Sequence, residues 1–318
     1  MRRYVIRRLL LSILTLFLLT TIVFLITNVL PDDVGRSILG PFASQETVDA
    51  LNEEIGANDP LLQQYGRMLR SAVTFDWGDS FQSRVPVTDL LWPAFWRSAK
   101  LAVYGLVLTI PIAIAAGMYA ARRRNTIADR SIVTLGLASS SIPDFVSGVT
   151  LQYFLGVQLG WFPVLALAPQ GSGFLTQLDY LTLPALALVV VYFGYIARMT
   201  RAGTMQALDA DYTRTAVMKG LPRGRVTRRH LTRNALQPTV SVIGVQIGYI
   251  LSSLIALEVI FNYPGLGSLI RNAALNKDFP LLQAGVILVG IIYMLCTLAA
   301  DLVIAWMNPR ARLEVETS

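Results

Sequence analysis

Six stretches of the chain are almost continuously apolar: Leu9–Leu30, Leu101–Ala121, Ile132–Leu159, Leu181–Ile196, Val240–Ile260 and Leu282–Met307. A hydrocarbon core of about 30 Å is crossed by roughly 20 helical residues at 1.5 Å each, so each run predicts a membrane-spanning helix. The fourth is short and carries Pro184 near its start, where a helix tolerates proline. Arg2, Arg3, Arg7 and Arg8 precede the first run, as in a signal peptide. Its apolar part is too long for an h-region, however, and no small-residue cleavage pattern follows Leu30, so a retained helix is expected. Between the first two runs, Ser44–Ile55 has the pattern of an amphipathic helix, with Ser44 as N-cap and Thr47 as the alternative. Asp59-Pro60 opens a second such helix, LLQQYGRMLRSAV, and Asp76–Ser80 predicts a turn. This connection is expected to pack on the membrane domain or on a partner.

Composition supports the same class. Of 318 residues, 54% are hydrophobic and 15% charged, too few charges for the surface of a soluble domain of this length. The single cysteine, Cys296, lies inside an apolar run, which excludes a disulfide framework and a cysteine metal cluster. A net charge of +7 would suggest nucleic acid in a soluble protein; here the basic residues alternate between connections and fit membrane lipid instead. They cluster before the first run, after the second (Arg122, Arg123, Arg124, Arg130), after the fourth (Arg198 to Arg233) and in the tail, while Gly160–Tyr180 has none. The positive-inside rule then predicts an all-α polytopic membrane protein with six transmembrane helices and both N and C termini cytoplasmic.

The connection after the fourth run, Asp211–Pro238, has internal order. Asp209 and Asp211 can cap a short helix over Tyr212–Lys219, Gly220 fits a left-handed stop, and Pro222 prevents continuation. Eight residues make a marginal helix in water, so something must hold it. The basic return, Pro222–Asn234, reads either as a surface gripped by another protein or as a positive loop on lipid headgroups. His230, the only histidine, has no neighbouring ligand cluster and predicts no metal site.

DYTRTAVMKGL, followed by the basic return and RNALQP, resembles the EAA loop of permease subunits in ATP-binding-cassette (ABC) importers. The resemblance covers nearly the whole chain and points to the dipeptide/oligopeptide/nickel class. RRLLLSILTLFLLTTIVFLITNVLPDD is similar to its opening helix, WGDSFQSRVPV to the end of its external loop, SIPDFVSG to its third-helix motif and EVIFNYPGLG to its fifth-helix exit; NPRARL also matches. The chain departs from the pattern at Asp32, where a glycine is usual, at Ala210, which replaces a glutamate, and at the bulky Trp92–Trp96 stretch. The resemblance implies a type I ABC importer permease fold in a bacterial or archaeal cytoplasmic membrane. It implies a first helix and external region over 1–97, a permease domain over 98–307 with a coupling loop at 198–238, and a tail from 308. It further implies that Asp211, Tyr212, Arg214, Thr215, Ala216, Lys219, Gly220 and Leu221 form a coupling surface. Small Ala216 and Gly220 would admit close approach, and Arg214 and Lys219 would meet carboxylates of an ATPase. The implied partners are a second related permease, two ATPase subunits and an external substrate-binding protein. ATP and Mg would be bound by the ATPases, with no cofactor in this chain.

Charged residues within the runs are few, and each costs roughly 2.5–3.5 kcal/mol on insertion scales, so a cavity or partner is expected beside it. Asp144 follows Ser139–Pro143, where Pro143 can kink the third helix. It reads as a pathway carboxylate for a peptide amine or basic side chain, or as a carboxylate bonded within the bundle, for instance to a serine hydroxyl. Glu258 precedes Phe261, Pro264, Gly265 and Gly267, which by resemblance form an external gate and otherwise a structural turn. There is no GxxxxGK[ST] phosphate loop and no His–carboxylate or Ser–His arrangement, so neither ATP binding nor hydrolysis is expected of this chain. Peptide import is the leading expectation. Nickel chelates or oligosaccharides on the same machinery are alternatives, as is an ion-driven secondary transporter, which would call for repeated halves and more buried carboxylates.

Overall fold

The computed structural model describes residues 2–29, 34–169, 171–220, 222, 224 and 232–307. Leu221, most of the basic return, His230 and the tail from 308 lie outside the described residues. The helices are α1 (Arg2–Val29), α2 (Val34–Leu39), α3 (Gln45–Glu54), α4 (Leu61–Thr74), α5 (Val87–Arg122), α6 (Ile127–Ser140) and α7 (Asp144–Leu151). A π-helical turn, Gln152–Gln158, extends α7. There follow α8 (Phe174–Asp209), α9 (Asp211–Met218), α10 (Thr232–Ala235), α11 (Gln237–Ile260), α12 (Leu266–Leu275) and α13 (Phe279–Met307). Among the described residues there is no strand, only an isolated antiparallel bridge between Asp79 and Pro86.

Among the described residues, five helices are long and apolar enough to cross a membrane: Leu9–Thr27, α5, α8, α11 and Phe279–Val303. The sixth element differs from the expected single span Ile132–Leu159. It is a pair, α6 and α7 with its π turn, bent by 104°. The physical reason is Pro143: it has no N–H to continue the α6 ladder and holds Ile142 away from the helical region. Both α5 and α8 run 36 residues, well past their apolar stretches. Pro184 therefore sits inside α8 rather than near its start. Packing by neighbouring helices tolerates an interior proline in a membrane.

The chain divides into two compact units. The first comprises residues 1–98 and 264–294. In it Phe24 of α1, Met68 of α4 and Ile287 of α13 form one core, and Val87, Leu91, Leu266, Ala273, Leu281 and Ala284 another. The Ser44 hydroxyl caps α3 by accepting the Thr47 N–H at 3.3 Å. The turn after α4 is fixed by buried Asp278, whose carboxylate accepts from the Ser80 hydroxyl (2.5 Å) and the Phe81 N–H (3.1 Å).

The second unit, residues 99–263 and 295–318, is built around α8. Leu181, Leu183, Leu188 and Tyr192 of α8 pack with Leu101 of α5 and with Leu254, Leu257 and Phe261 from α11 and its exit. Lower down, Ile196 and Ala197 meet Ala113. Lipid is as apolar as leucine, so helices in a membrane gain from close backbone approach at small residues. That approach is tightest at Gly194: a Cβ there would collide with the Gly136 carbonyl of α6, and one on Gly136 would lie 3.1 Å from the Gly194 Cα. At Gly203 a Cβ would lie 2.7 Å from Pro238 Cγ, so α8 also takes the α10–α11 corner against its backbone. Buried Thr239 donates to Thr200 at 3.1 Å beside it.

Gly194→Val is expected to destabilise the protein by about 1–3 kcal/mol or more through overpacking, read as a lower melting temperature of the detergent-solubilised protein. Gly66→Ala, in open space inside α4, serves as the control and should not lower it, because alanine is the better helix former.

Candidate functional site

At the end of α8, Ala210 is extended (φ −72, ψ 146) and turns the chain directly into α9. The Ala210 carbonyl accepts the N–H groups of Thr213 (3.0 Å) and Arg214 (3.3 Å), and the Thr213 hydroxyl donates to the Ala207 carbonyl at 2.6 Å. Thr213 and Ala216, three residues apart, are both 6% exposed and form the face that α9 turns onto the rest of the chain. Asp211, Tyr212, Arg214, Thr215, Met218 and Lys219 are exposed. Gly220 then stops the helix at φ +70.

Three details differ from the sequence reading. Neither expected aspartate caps α9: Asp209 ends α8 and pairs with Arg124 at 3.1 Å, and Asp211 is the first residue of the helix, which runs Asp211–Met218 rather than Tyr212–Lys219. Ala216 is not on the outward face, since its small side chain lets α9 sit close to its own chain. Met218 was missed, although it is 79% exposed. At 100° per residue it projects opposite the Thr213–Ala216 face, a phase readable in the sequence once those two are known to point inward.

A second polar cluster holds α6 to α8. Thr126 caps α6 by accepting the Asp129 N–H at 3.4 Å. Arg201 grips the Asp129 carboxylate with two prongs, Nε to Oδ1 at 2.5 Å and Nη2 to Oδ2 at 2.8 Å. The Asn125 N–H adds a third donor at 2.9 Å, and the carboxylate is 3% exposed. Sequence reasoning treated Arg201 as one more loop cation and passed over Asp129. The signal was a lone carboxylate set among Arg122, Arg123, Arg124 and Arg130.

Beyond the other end of α6, Asp144 opens α7 at the 104° bend, half-buried. Its Oδ1 accepts the Phe145 N–H at 2.9 Å. The nearby serine hydroxyls donate to backbone carbonyls: Ser139 and Ser140 to Gly136, Ser141 to Leu137 and Ser147 to Asp144 itself. The serine-bonded carboxylate weighed from sequence is therefore not the arrangement found. On α8, the Tyr192 hydroxyl shares a 2.7 Å bond with Ser253.

Glu258 and Phe261 are fully buried in the second unit. The Glu258 main-chain carbonyl accepts the Tyr263 N–H at 2.7 Å, and that of Phe261 accepts the Ala166 N–H at 2.8 Å. Pro264, Gly265 and Gly267 belong to the first unit, where Arg97 donates to the Pro264 carbonyl (3.2 Å) and the Leu266 N–H donates to Ser98 (2.7 Å). A cavity of about 440 Å³ in the first unit, lined in part by Phe24, Arg67, Trp77, Asp79 and Gln283, includes none of the coupling or pathway residues expected from sequence. Among the described residues no group of His, Cys, Asp or Glu side chains is arranged to hold a metal ion.

Residues 113–313 match the family described as "Binding-protein-dependent transport system inner membrane component", and residues 1–97 match its N-terminal family. The chain belongs to this family. It is thus the inner-membrane permease subunit of an ABC importer, and permeases of this family work with ATPase and substrate-binding proteins. A glutathione transport system permease protein from Escherichia coli is 35% identical over 312 residues, 98% of this permease and 99% of the relative. A probable peptide ABC transporter permease protein from Sinorhizobium fredii is 32% identical over 309 residues, 97% of this permease and 99% of that one. A solved amino acid ABC transporter with histidines has a TM-score of 0.49 at 18% identity, covering 70% of this permease and 94% of that chain.

The seat of α9 is directly testable. Thr213→Val removes the bond to Ala207 and, at about 1 kcal/mol, should open α9 roughly fivefold more often, seen as faster tryptic cleavage at Arg214 and Lys219. Thr215→Val, whose hydroxyl bonds only the exposed Asp211 carbonyl within the same helix, should cleave at the parent rate.

Proposed function

We propose that this permease supplies half of a translocation pathway for di- and oligopeptides, with α9 as the helix through which separate ATPase subunits drive it. Both termini and α9 face the cytoplasm in this reading, as the distribution of arginines requires. One observation carries it. An eight-residue helix is seated by Thr213 and Ala216 on the end of the central helix, while Arg214, Thr215, Met218 and Lys219 are left on its outward face. A short helix so placed exposes an apolar side chain between two cations, which suits a groove bearing carboxylates on a partner. A second, related permease completes the pathway, two ATPase subunits bind ATP and Mg, and an external binding protein delivers substrate. Closure of the ATPases on ATP moves both coupling helices and opens the pathway alternately to each side. Peptides are the favoured cargo because one relative is named for peptides and another for glutathione, itself a tripeptide.

Asp144 is the pathway carboxylate in this scheme. Among the described residues its carboxylate makes no further hydrogen bond or ion pair beyond the Phe145 N–H, which leaves acceptor capacity for a peptide ammonium.

Gly220→Pro cannot keep φ near +70, because proline is held near −65°. In proteoliposomes with all partners, this variant should remain assembled yet lose transport and substrate-stimulated ATP hydrolysis; normal transport by it would sink the coupling assignment. Asp144→Asn should lower import of peptides with a free amino terminus about tenfold relative to amino-acetylated ones, the worth of one charge-assisted hydrogen bond. An unchanged rate and preference would remove Asp144 from the pathway.

A further inference from the structure

The α6–α8 pair has a register with a mechanical consequence. The helices run antiparallel and touch closely at two levels: Asp129 with Arg201, and Gly136 with Gly194. The two contacts are seven residues apart on both helices. Seven residues are close to two turns, so both contacts fall on one stripe of each helix, about 10 Å apart along the axis. One more step of seven would pair Pro143 with buried Ala187, and there α6 has already ended. The 104° bend follows, Asp144 is the first residue past it, and α7 beyond the bend packs on both α8 and α11.

We infer that Asp129 and Arg201 are positioning residues that fix α6 to α8 at a second point, so that displacement of α9 reaches the bend at Ser141–Pro143 and repositions Asp144. The inference rests on the reading of α9 as the coupling helix. With the glycine contact alone, α6 can pivot about Gly136 as α8 moves. With the ion pair in place, two fixed points make the helices one rigid piece. The charge pair suits this task better than apolar packing would. Its two-pronged geometry specifies one register, and sliding α6 along α8 would leave a buried carboxylate without its cation. The third donor, the Asn125 N–H, comes from the α5–α6 turn, so the same carboxylate also ties α5 to the lever. At the far end, Thr213 fastens α9 to α8 about 9 Å beyond Arg201, counting six residues to Ala207.

The test uses the complete transporter in proteoliposomes with peptide-loaded binding protein, measuring assembled complex, ATP hydrolysis and peptide imported per ATP. Single neutralisation strands a buried charge and lowers assembly, so the informative variant is the double Asp129→Asn/Arg201→Gln. It should assemble and hydrolyse ATP while peptide per ATP falls about tenfold, within the range of substitutions along coupling networks. Arg201→Lys, which keeps the charge but not the two prongs, should give an intermediate ratio and decides the matter if the double variant assembles poorly. In a Cys296→Ala background, Asp129→Cys/Arg201→Cys should show the same low ratio and regain it when a short bifunctional thiol reagent tethers the two positions. An unchanged ratio in assembled variants, or a formed tether that restores nothing, overturns the inference. Were Gly220→Pro to transport normally, the reading of α9 would fail as well; a defective Gly220→Pro beside a normal double variant would fell this inference alone.

Discussion

The contact between the backbones of α6 and α8 at Gly136 and Gly194 is the constraint on which the second unit depends. Lipid gives helices no hydrophobic reason to associate, so cohesion comes from dispersion at short range and from polar groups with no alternative partner. Gly194 admits α6 to the surface of α8, and Gly203 does the same for the α10–α11 corner. Around these approaches the polar side chains of α8 fall into place. Arg201 meets Asp129, Thr200 meets Thr239, and Tyr192 meets Ser253. Each bond satisfies a group that burial in the bundle would otherwise strand. A bulkier residue at Gly194 would push α6 away and disturb the Arg201–Asp129 pair, while the bonds to α11 rest on other contacts.

The membrane class and the short helix α9 were legible because they rest on local signals. Apolar length reports where chain meets lipid, and an eight-residue segment between a carboxylate and a glycine reports a helix wherever it lies. The N-cap at Ser44 belongs to the same category, and the structure has it; the turn expected at Asp76–Ser80 falls a few residues later, at Phe81–Ser83. Helix ends were not legible where the helix outlasts its apolar stretch. Both α5 and α8 continue through polar residues because those residues have helical neighbours, which hydropathy does not register. The bend after α6 was visible as a proline, but its angle depends on how α7 packs: Gly148 lies against Leu257 of α11.

The candidate site divides in the same way. Residues on the outward face of α9 were named from the family pattern and stand exposed, except Ala216, whose inward direction is a matter of helical phase against α8. Asp129 escaped because a carboxylate near four arginines reads as ordinary charge mixing in one dimension. Two of its three donors exist only once Arg201, seventy-two residues away, is folded beside it. Glu258 illustrates the converse. A motif placed it near an exit, and the fold encloses it completely.

The bond from Ser80 to Asp278 joins residues 198 apart in sequence, and the unit it closes is assembled from residues 1–98 and 264–294. Most of the other unit, residues 99–263, is one uninterrupted length of chain. During synthesis the α8 bundle can therefore gather around Gly194 while translation continues. The turn at Ser80–Phe81 after α4 has to wait, its Asp278 anchor not yet made, until the last hydrophobic helix is being inserted. Chain ends that meet late are exposed longest to quality control. A defect at Ser80 or Asp278 would act after the central helices have set, as a failure of closure rather than of insertion.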